Sequence, residues 1–270
     1  RSDVFQPLGM DSATFEIDAA ATPYPSTGYN LSGKPVPVYL YPSKASGGLF
    51  ATAKDIARFV AAGLKENPVL NSESVKQVYQ PVSHEIGIYG FVFNAYGLGH
   101  YIEKLPNGMS SVSHGGQGNG IMTHFQSVPE TGDAIVILTN SQRSWPFIAY
   151  VLSDWAQWRA FPSVGMGKII WGHYGICVLI GILISASLLI ILRLIVGFRQ
   201  PKRAAFRVLR AVTAVILLGV LVWCAFQEYL FVTSVFPVLS GWLGGSVLGF
   251  SVVMLLSMLL PARRRKRANL

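Results

Sequence analysis

Charge is scarce in this chain. Of 270 residues only 13% are Asp, Glu, Lys or Arg, while 51% are hydrophobic. That ratio excludes a disordered polypeptide and is unusual for a wholly water-exposed one. Acids are scarcest after position 167, where Glu228 stands alone against 12 Lys and Arg. The first 167 residues carry 10 basic and 12 acidic side chains, a net of −2, so the overall +9 comes from the other part, with +11. Cysteine is nearly absent. Cys177 and Cys224 both fall in apolar runs, which excludes a disulfide framework or a cysteine metal site in the first part. His84, His100, His114, His124 and His173 show no H-x-x-x-H spacing, so neither a metal nor another cofactor is expected. The chain opens on Arg1, and no export signal precedes the first apolar run.

Three long apolar runs account for the hydrophobic excess. Crossing about 30 Å of hydrocarbon takes ~20 residues of helix. Residues 169–192, 208–231 and 238–260 meet that length, and none has a polar face. Basic residues lie between and after the runs: Arg193, Arg199, Lys202, Arg203, Arg207 and Arg210, then Arg263, Arg264, Arg265, Lys266 and Arg267. The connection 227–237 has no Lys or Arg. This is the charge pattern of membrane topology rather than of nucleic-acid binding. The positive-inside rule places the first loop and the tail, 263–270, in the cytoplasm, and residues 1–160 outside. Residues 161–168 read as a linker. An exported domain needs a signal ahead of it, so the native protein is expected to extend upstream of Arg1. Arg193 and Glu228 read as interface residues that snorkel. Gly241, Gly244, Gly245 and Gly249 have small-x-x-x-small spacing suited to helix packing.

The first 160 residues read as α+β. Pro23, Pro25, Pro35, Pro37 and Pro42 forbid long helix near the start. Thr52 and Asp55 form a capping-box pair ahead of a helix whose inner stripe is Ile56, Phe59, Val60 and Leu64. A second short helix is expected over 72–79. Strands follow at 96–103, 109–114, 121–128 and 134–140, and their short links demand antiparallel pairing. The continuously apolar 134–138 reads as a strand covered on both faces. A final helix over 145–159 is capped by Ser144 and buries Phe147, Ile148, Val151, Leu152 and Trp155 against the sheet.

The densest local signal is Ser113-His114-Gly115-Gly116-Gln117-Gly118-Asn119-Gly120. A histidine followed by glycines suits a pocket wall that a ligand approaches closely. From these residues alone, a glycine-rich hairpin with an incidental histidine is the simpler account. Ser113 and His114 are neighbours on a strand, so they face opposite sides and cannot pair as nucleophile and base.

Several segments in order shift that balance. Pro7-Leu8-Gly9-Met10 with Thr14, then Gly28-Tyr29, then the run from Ser46-Gly47-Gly48-Leu49 to Phe59, resemble the C-terminal half of the serine β-lactamase and penicillin-binding-protein-like hydrolases, class C type. Tyr96-Gly97-Leu98-Gly99, His114-Gly115-Gly116, Pro129 and Leu138-Thr139-Asn140 continue the resemblance, which covers about residues 5–158. The resemblance implies a β-lactamase/transpeptidase-like fold and acyl transfer to the Ser of an S-x-x-K motif, aided by the Tyr of Y-x-N. It puts His114 in the Lys/His place of the third motif. Gly115 and Gly116 then line the strand where substrate lies, and the Gln117 N–H becomes an oxyanion donor. No Ser here has a Lys three residues later, and Tyr29-Asn30 is not Y-x-N, so the chain alone is expected to be catalytically inactive. Gly115 also stands where the family often has a hydroxyl residue, which favours an esterase or peptidase over a β-lactamase. The implied partners are cell-wall D-amino-acyl peptides or small esters and amides, together with the lipid bilayer. The implied location is the cytoplasmic membrane of a bacterium. The alternative is a catalytically dead binding or sensor module anchored in the membrane.

Overall fold

Prolines near the start limit the chain to short pieces: β1 (Gly28–Tyr29), β2 (Pro35–Val36) and a single-turn helix, α1 (Lys44–Gly47). The computed structural model describes residues 1–17, 25–162, 165–196, 204–227 and 230–259. The basic tail, Glu228, and Arg199, Lys202 and Arg203 of the first loop lie outside the described residues. By backbone contacts the chain divides into two units, Arg1–Trp171 and Gly172–Leu270.

In the first unit, α2 (Ala53–Ala62) starts on a complete capping box. The Thr52 hydroxyl oxygen accepts the Asp55 N–H, and the Asp55 carboxylate accepts the Thr52 N–H. Val60 is buried, but Phe59 of the expected inner stripe is exposed. Thr14 and Phe50 exchange backbone hydrogen bonds of 2.9 and 2.8 Å. The Pro7–Met10 segment is thereby fastened beside α2, where Arg58 pairs with Asp11 at 3.3 Å. Phe5, Met10 and Ala13 form a small core at this joint. After α3 (Ser72–Val78), capped by Asn71, comes a 3-10 helix, η1 (Gly87–Phe91).

The sheet consists of β3 (Ala95–Tyr96), β4 (Tyr101–Lys104), β5 (Ser110–Gly118), β6 (Ile121–Val128) and β7 (Asp133–Thr139). All neighbours are antiparallel and the spatial order is the sequence order. Three sequence expectations change here. The strand expected over 96–103 is broken into β3 and β4 by a turn in which Gly99 is left-handed, with φ 79°. The strand expected to stop at His114 continues through the glycines to Gly118, because β6 supplies a partner for each of them. β7 is not covered on both faces: its apolar run is only partly buried, and Leu138 remains exposed.

Helix α4 (Phe147–Trp158) buries Ile148, Leu152 and Trp155 completely or nearly so, whereas Phe147 is exposed. Ser144 is not its cap. That hydroxyl bonds to Thr139 and to the Ser141 carbonyl instead, and Pro146 occupies the N-cap position. Arg159, just past the helix end, forms an ion pair with Asp133 of β7 at 2.6 Å. The unit is therefore an α+β arrangement of helices with an antiparallel sheet.

The second unit is helical. It contains most of α5 (Met166–Val196), followed by α6 (Ala204–Ala225), the short α7 (Phe231–Val235) and α8 (Pro237–Leu259). Helices α5, α6 and α8 are each long and apolar enough to cross a membrane. The α6–α8 contact buries Ala214, Ser251, Met254 and Ser257. Arg210, near the start of α6, donates to the Ser257 hydroxyl near the end of α8 at 3.2 Å, so the two helices run antiparallel. Among the described residues, no other helix packs closely on Gly241, Gly244, Gly245 or Gly249, as their spacing suggested. Beyond its own helix backbone, a Cβ on any of the four would meet no described atom within 4 Å.

Candidate active site

The candidate wall is the second half of β5. β4 pairs only with residues 110–113, while β6 pairs with β5 from Val112 to Gly118. Among the described residues, no strand pairs with the other edge of residues 114–118. Gly115, Gly116 and Gln117 are exposed there, and His114 is half-buried at the point where the open edge begins. A strand edge of this kind offers backbone donors and acceptors to an extended ligand.

What lies beneath the two glycines limits what could replace them, strictly at Gly116 and less so at Gly115. Gly116 faces Thr123 across the ladder, and a Cβ there would come within 2.5 Å of Thr123 Oγ1. Gly115 faces His124, and its Cβ would sit 3.3 Å from His124 Nδ1. The far end of the strand is closed by the Asn119-Gly120 turn, with Gly120 left-handed at φ 76°. That turn abuts β1: the Tyr29 N–H donates to the Gly120 carbonyl at 3.1 Å. Gly28 and Gly120 approach so closely that a Cβ on either would clash with the other's backbone. Thus the Gly28-Tyr29 segment and the Gly-rich run meet at one end of the wall.

His114 is held by aromatic rings. Tyr101 lies nearly parallel to the imidazole with ring centroids 5.7 Å apart, and Tyr96 meets it edge-on at 6.2 Å. Phe93 stacks on Tyr101 at 4.4 Å, and Tyr89 lies 5.2 Å from it. Burial among these rings pushes the His114 pKa below its ordinary value, outweighing the hydrogen bond with the Gly115 backbone. The imidazole is therefore predominantly neutral at pH 7 and can take or give a proton at one nitrogen.

Two further histidines adjoin it. His100 Nδ1 donates to the Leu98 carbonyl at 2.8 Å, and burial, ahead of His114's charge, lowers its pKa. His124 is buried beneath Gly115 against Trp145, and neither ring nitrogen has a hydrogen-bond partner. Burial, and after it the charge of His114, pushes its pKa down to about 3. Among the described residues no three His, Cys, Asp or Glu side chains converge to hold a metal ion.

All four residues singled out from the sequence, His114, Gly115, Gly116 and Gln117, lie on one open stretch of strand. Sequence reasoning missed the aromatic set of Tyr89, Phe93, Tyr96 and Tyr101, although five aromatics within thirteen residues, these four and Phe91, were a visible signal. It also missed His124 under Gly115, because the first strand was ended at His114, although the Asn119-Gly120 turn sets the β5–β6 register that pairs them.

A model of the beta-lactamase family matches residues 1–150. Among solved structures, the octameric penicillin-binding protein homologue from Pyrococcus abyssi is 21% identical with a TM-score of 0.51, covering 60% of this chain and 37% of that one. A D-alanine carboxypeptidase from Burkholderia cenocepacia is 17% identical, with a TM-score of 0.41 over 52% of this chain and 49% of its own. A D-stereospecific amidohydrolase from Streptomyces sp. is 23% identical, with a TM-score of 0.42 over 52% of this chain and 42% of its own. The chain thus spans less than half the length of each. No curated protein gives a significant match.

Proposed function

We propose that this chain, which belongs to the beta-lactamase family, is the C-terminal half of a membrane-anchored serine hydrolase and supplies one wall of its active site. The observation that carries this reading is the open edge of β5, where His114, two closely backed glycines and Gln117 follow one another. The nucleophile would come from a segment outside this chain, since no Ser here has a Lys three residues later. Its Oγ would attack the carbonyl carbon of an amide or ester lying along β5. As the new C–O bond forms, negative charge gathers on the carbonyl oxygen, and the Gln117 N–H is the donor assigned to it. One such donor typically contributes 10²–10³ in rate. The scissile C–N or C–O bond then breaks, the leaving amine or alcohol takes a proton, and water later releases the acyl group.

His114 has the part of moving or orienting a proton at the edge of this wall. A neutral imidazole suits that part better than a fixed cation would. With Gly115 in place of a hydroxyl residue, the wall fits peptides or small esters and amides better than β-lactams. Cell-wall D-amino-acyl peptides are the substrate class we assign. The three apolar helices anchor the unit, with residues 1–160 outside the cytoplasmic membrane of a bacterium.

The test is covalent labelling of the full-length protein with a fluorescent penicillin and a fluorophosphonate. A label on a serine upstream of Arg1, weakened by His114→Ala, supports the hydrolase. Absence of label, with cell-wall peptide still bound, favours the second reading, a non-catalytic peptide-binding module. The missing S-x-x-K is the observation that keeps this reading in play.

A further inference from the structure

Exposed apolar side chains stand beside the first turn of α5. Residues 86–93 contain no Asp, Glu, Lys or Arg. Within them Ile88 and Phe91 of η1 are 55% and 60% exposed. Their backbone touches the chain that opens α5, and these contacts lie inside the first unit, which runs to Trp171. A Cβ on Gly165 would come within 2.5 Å of Val92 Cγ1 and 2.8 Å of the Val92 carbonyl, an approach only glycine allows. Lys168 Nζ donates to the Phe91 carbonyl at 2.8 Å, with its ammonium 5.6 Å from the Phe91 ring centroid.

Single exposed apolar residues are ordinary on a protein surface. What sets Ile88 and Phe91 apart is their level along α5. The helix has 31 residues and is about 46 Å long, more than the ~20 residues that hydrocarbon requires. Lys168 is the last charged residue before Arg193, so it marks the level at which the helix leaves the hydrocarbon. Trp171, 77% exposed one turn further on, suits the interfacial aromatic belt. Phe91 shares that level because Lys168 is bonded to it. An ammonium there meets lipid phosphates, and an apolar ring beside it meets the glycerol and upper acyl region.

We propose that η1 is a lipid-contact surface: Ile88 and Phe91 dip into the phospholipid bilayer, with Lys168 beside them at the phosphates. Tyr89 of η1 lies against Tyr101, and Tyr101 stacks on His114. The contact therefore holds the open edge of β5 near the bilayer surface. It rests on the reading of α5 as a membrane span, and it is independent of acyl transfer, since a peptide-binding module would carry it equally. The competing occupant of the patch is protein from upstream of Arg1.

Spin labels on Ile88→Cys, Phe91→Cys and Ile182→Cys test this, each in the full-length protein carrying Cys177→Ala and Cys224→Ala, in phospholipid nanodiscs. Collisions with oxygen, which concentrates in lipid, and with a nickel chelate, which stays in water, give the depth of each label. Labels at 88 and 91 should lie ~5–10 Å below the phosphates, and the label at 182 near the bilayer centre. Water-exposed labels at 88 and 91 with a deep label at 182 overturn the lipid contact alone. A water-exposed label at 182 overturns the membrane reading of α5 as well. Labels at 88 and 91 shielded from both reagents place protein on the patch and also overturn the proposal. The wild type gives the same answer without substitution. A phospholipid with a photoactivated diazirine high in its acyl chain should leave adducts on peptides over 86–93. Their absence, with peptides over 169–192 marked, overturns the contact.

Discussion

Two residues beneath the open strand set the tolerance of the wall above them. Thr123 Oγ1 lies where a Cβ on Gly116 would have to go, and a β-strand in mid-sheet has little room to shift. Gly116→Ala should therefore cost about 1–3 kcal/mol of stability. Thr123→Ala in the same chain should restore part of it, as read by thermal denaturation. His124 makes the second prediction. Its pKa is about 3 folded against 6.5 unfolded, so its contribution to stability is intact above pH 6.5 and is lost as pH falls towards 3. The slope should reach about 1.4 kcal/mol per pH unit in that window. Denaturant melts between pH 7 and 4 check this, and His124→Phe should flatten the acid side. The glycines were legible as glycines, but their reasons were not, because Thr123 and His124 reach them only through the ladder to β6.

At the scale of elements, local chemistry was legible where partners are three or four residues apart. The Thr52–Asp55 box could be read directly, and α2 begins on it. Thr52→Ala removes the acceptor for the Asp55 N–H and leaves a buried carboxylate short of its hydroxyl partner. Such a loss costs ~0.5–2 kcal/mol, and the domain's melting temperature should fall accordingly. Ser144 shows the limit of the same reasoning. A serine ahead of an apolar run reads as a cap, but here its hydroxyl is drawn to Thr139 and Ser141 at the end of β7. Phe59 and Phe147 were assigned to inner stripes by spacing alone, and both face outward.

At the largest scale, contacts inside the second unit fix which helix ends lie together. The Arg210–Ser257 bond joins the start of α6 to the end of α8. His173 stacks on Phe236 at 6.5 Å, which joins the start of α5 to the start of α8. The end of α5, the start of α6 and the end of α8 therefore lie at one end of the second unit, and the positive-inside rule predicts that this end faces the cytoplasm. Trypsin added outside spheroplasts should digest residues 1–160 and spare an epitope placed after Leu270. Digestion of the epitope with residues 1–160 protected would reverse the orientation.

Composition and order alone determined that this chain joins an α+β unit to three membrane-length helices. Burial of long apolar runs and the pairing of short-linked strands do not depend on distant contacts. His114-Gly115-Gly116-Gln117 could be singled out for the same reason: the motif is contiguous. Only the tertiary structure decided that this run is strand rather than loop, that β4 leaves its edge open, that aromatic rings and His124 flank it, and that the first turn of α5 is seated on η1. The partners range from residues close by across the β5–β6 hairpin to Phe91, 77 residues before Lys168. Chain closure across such distances is set by packing and ladder register, which no local pattern encodes.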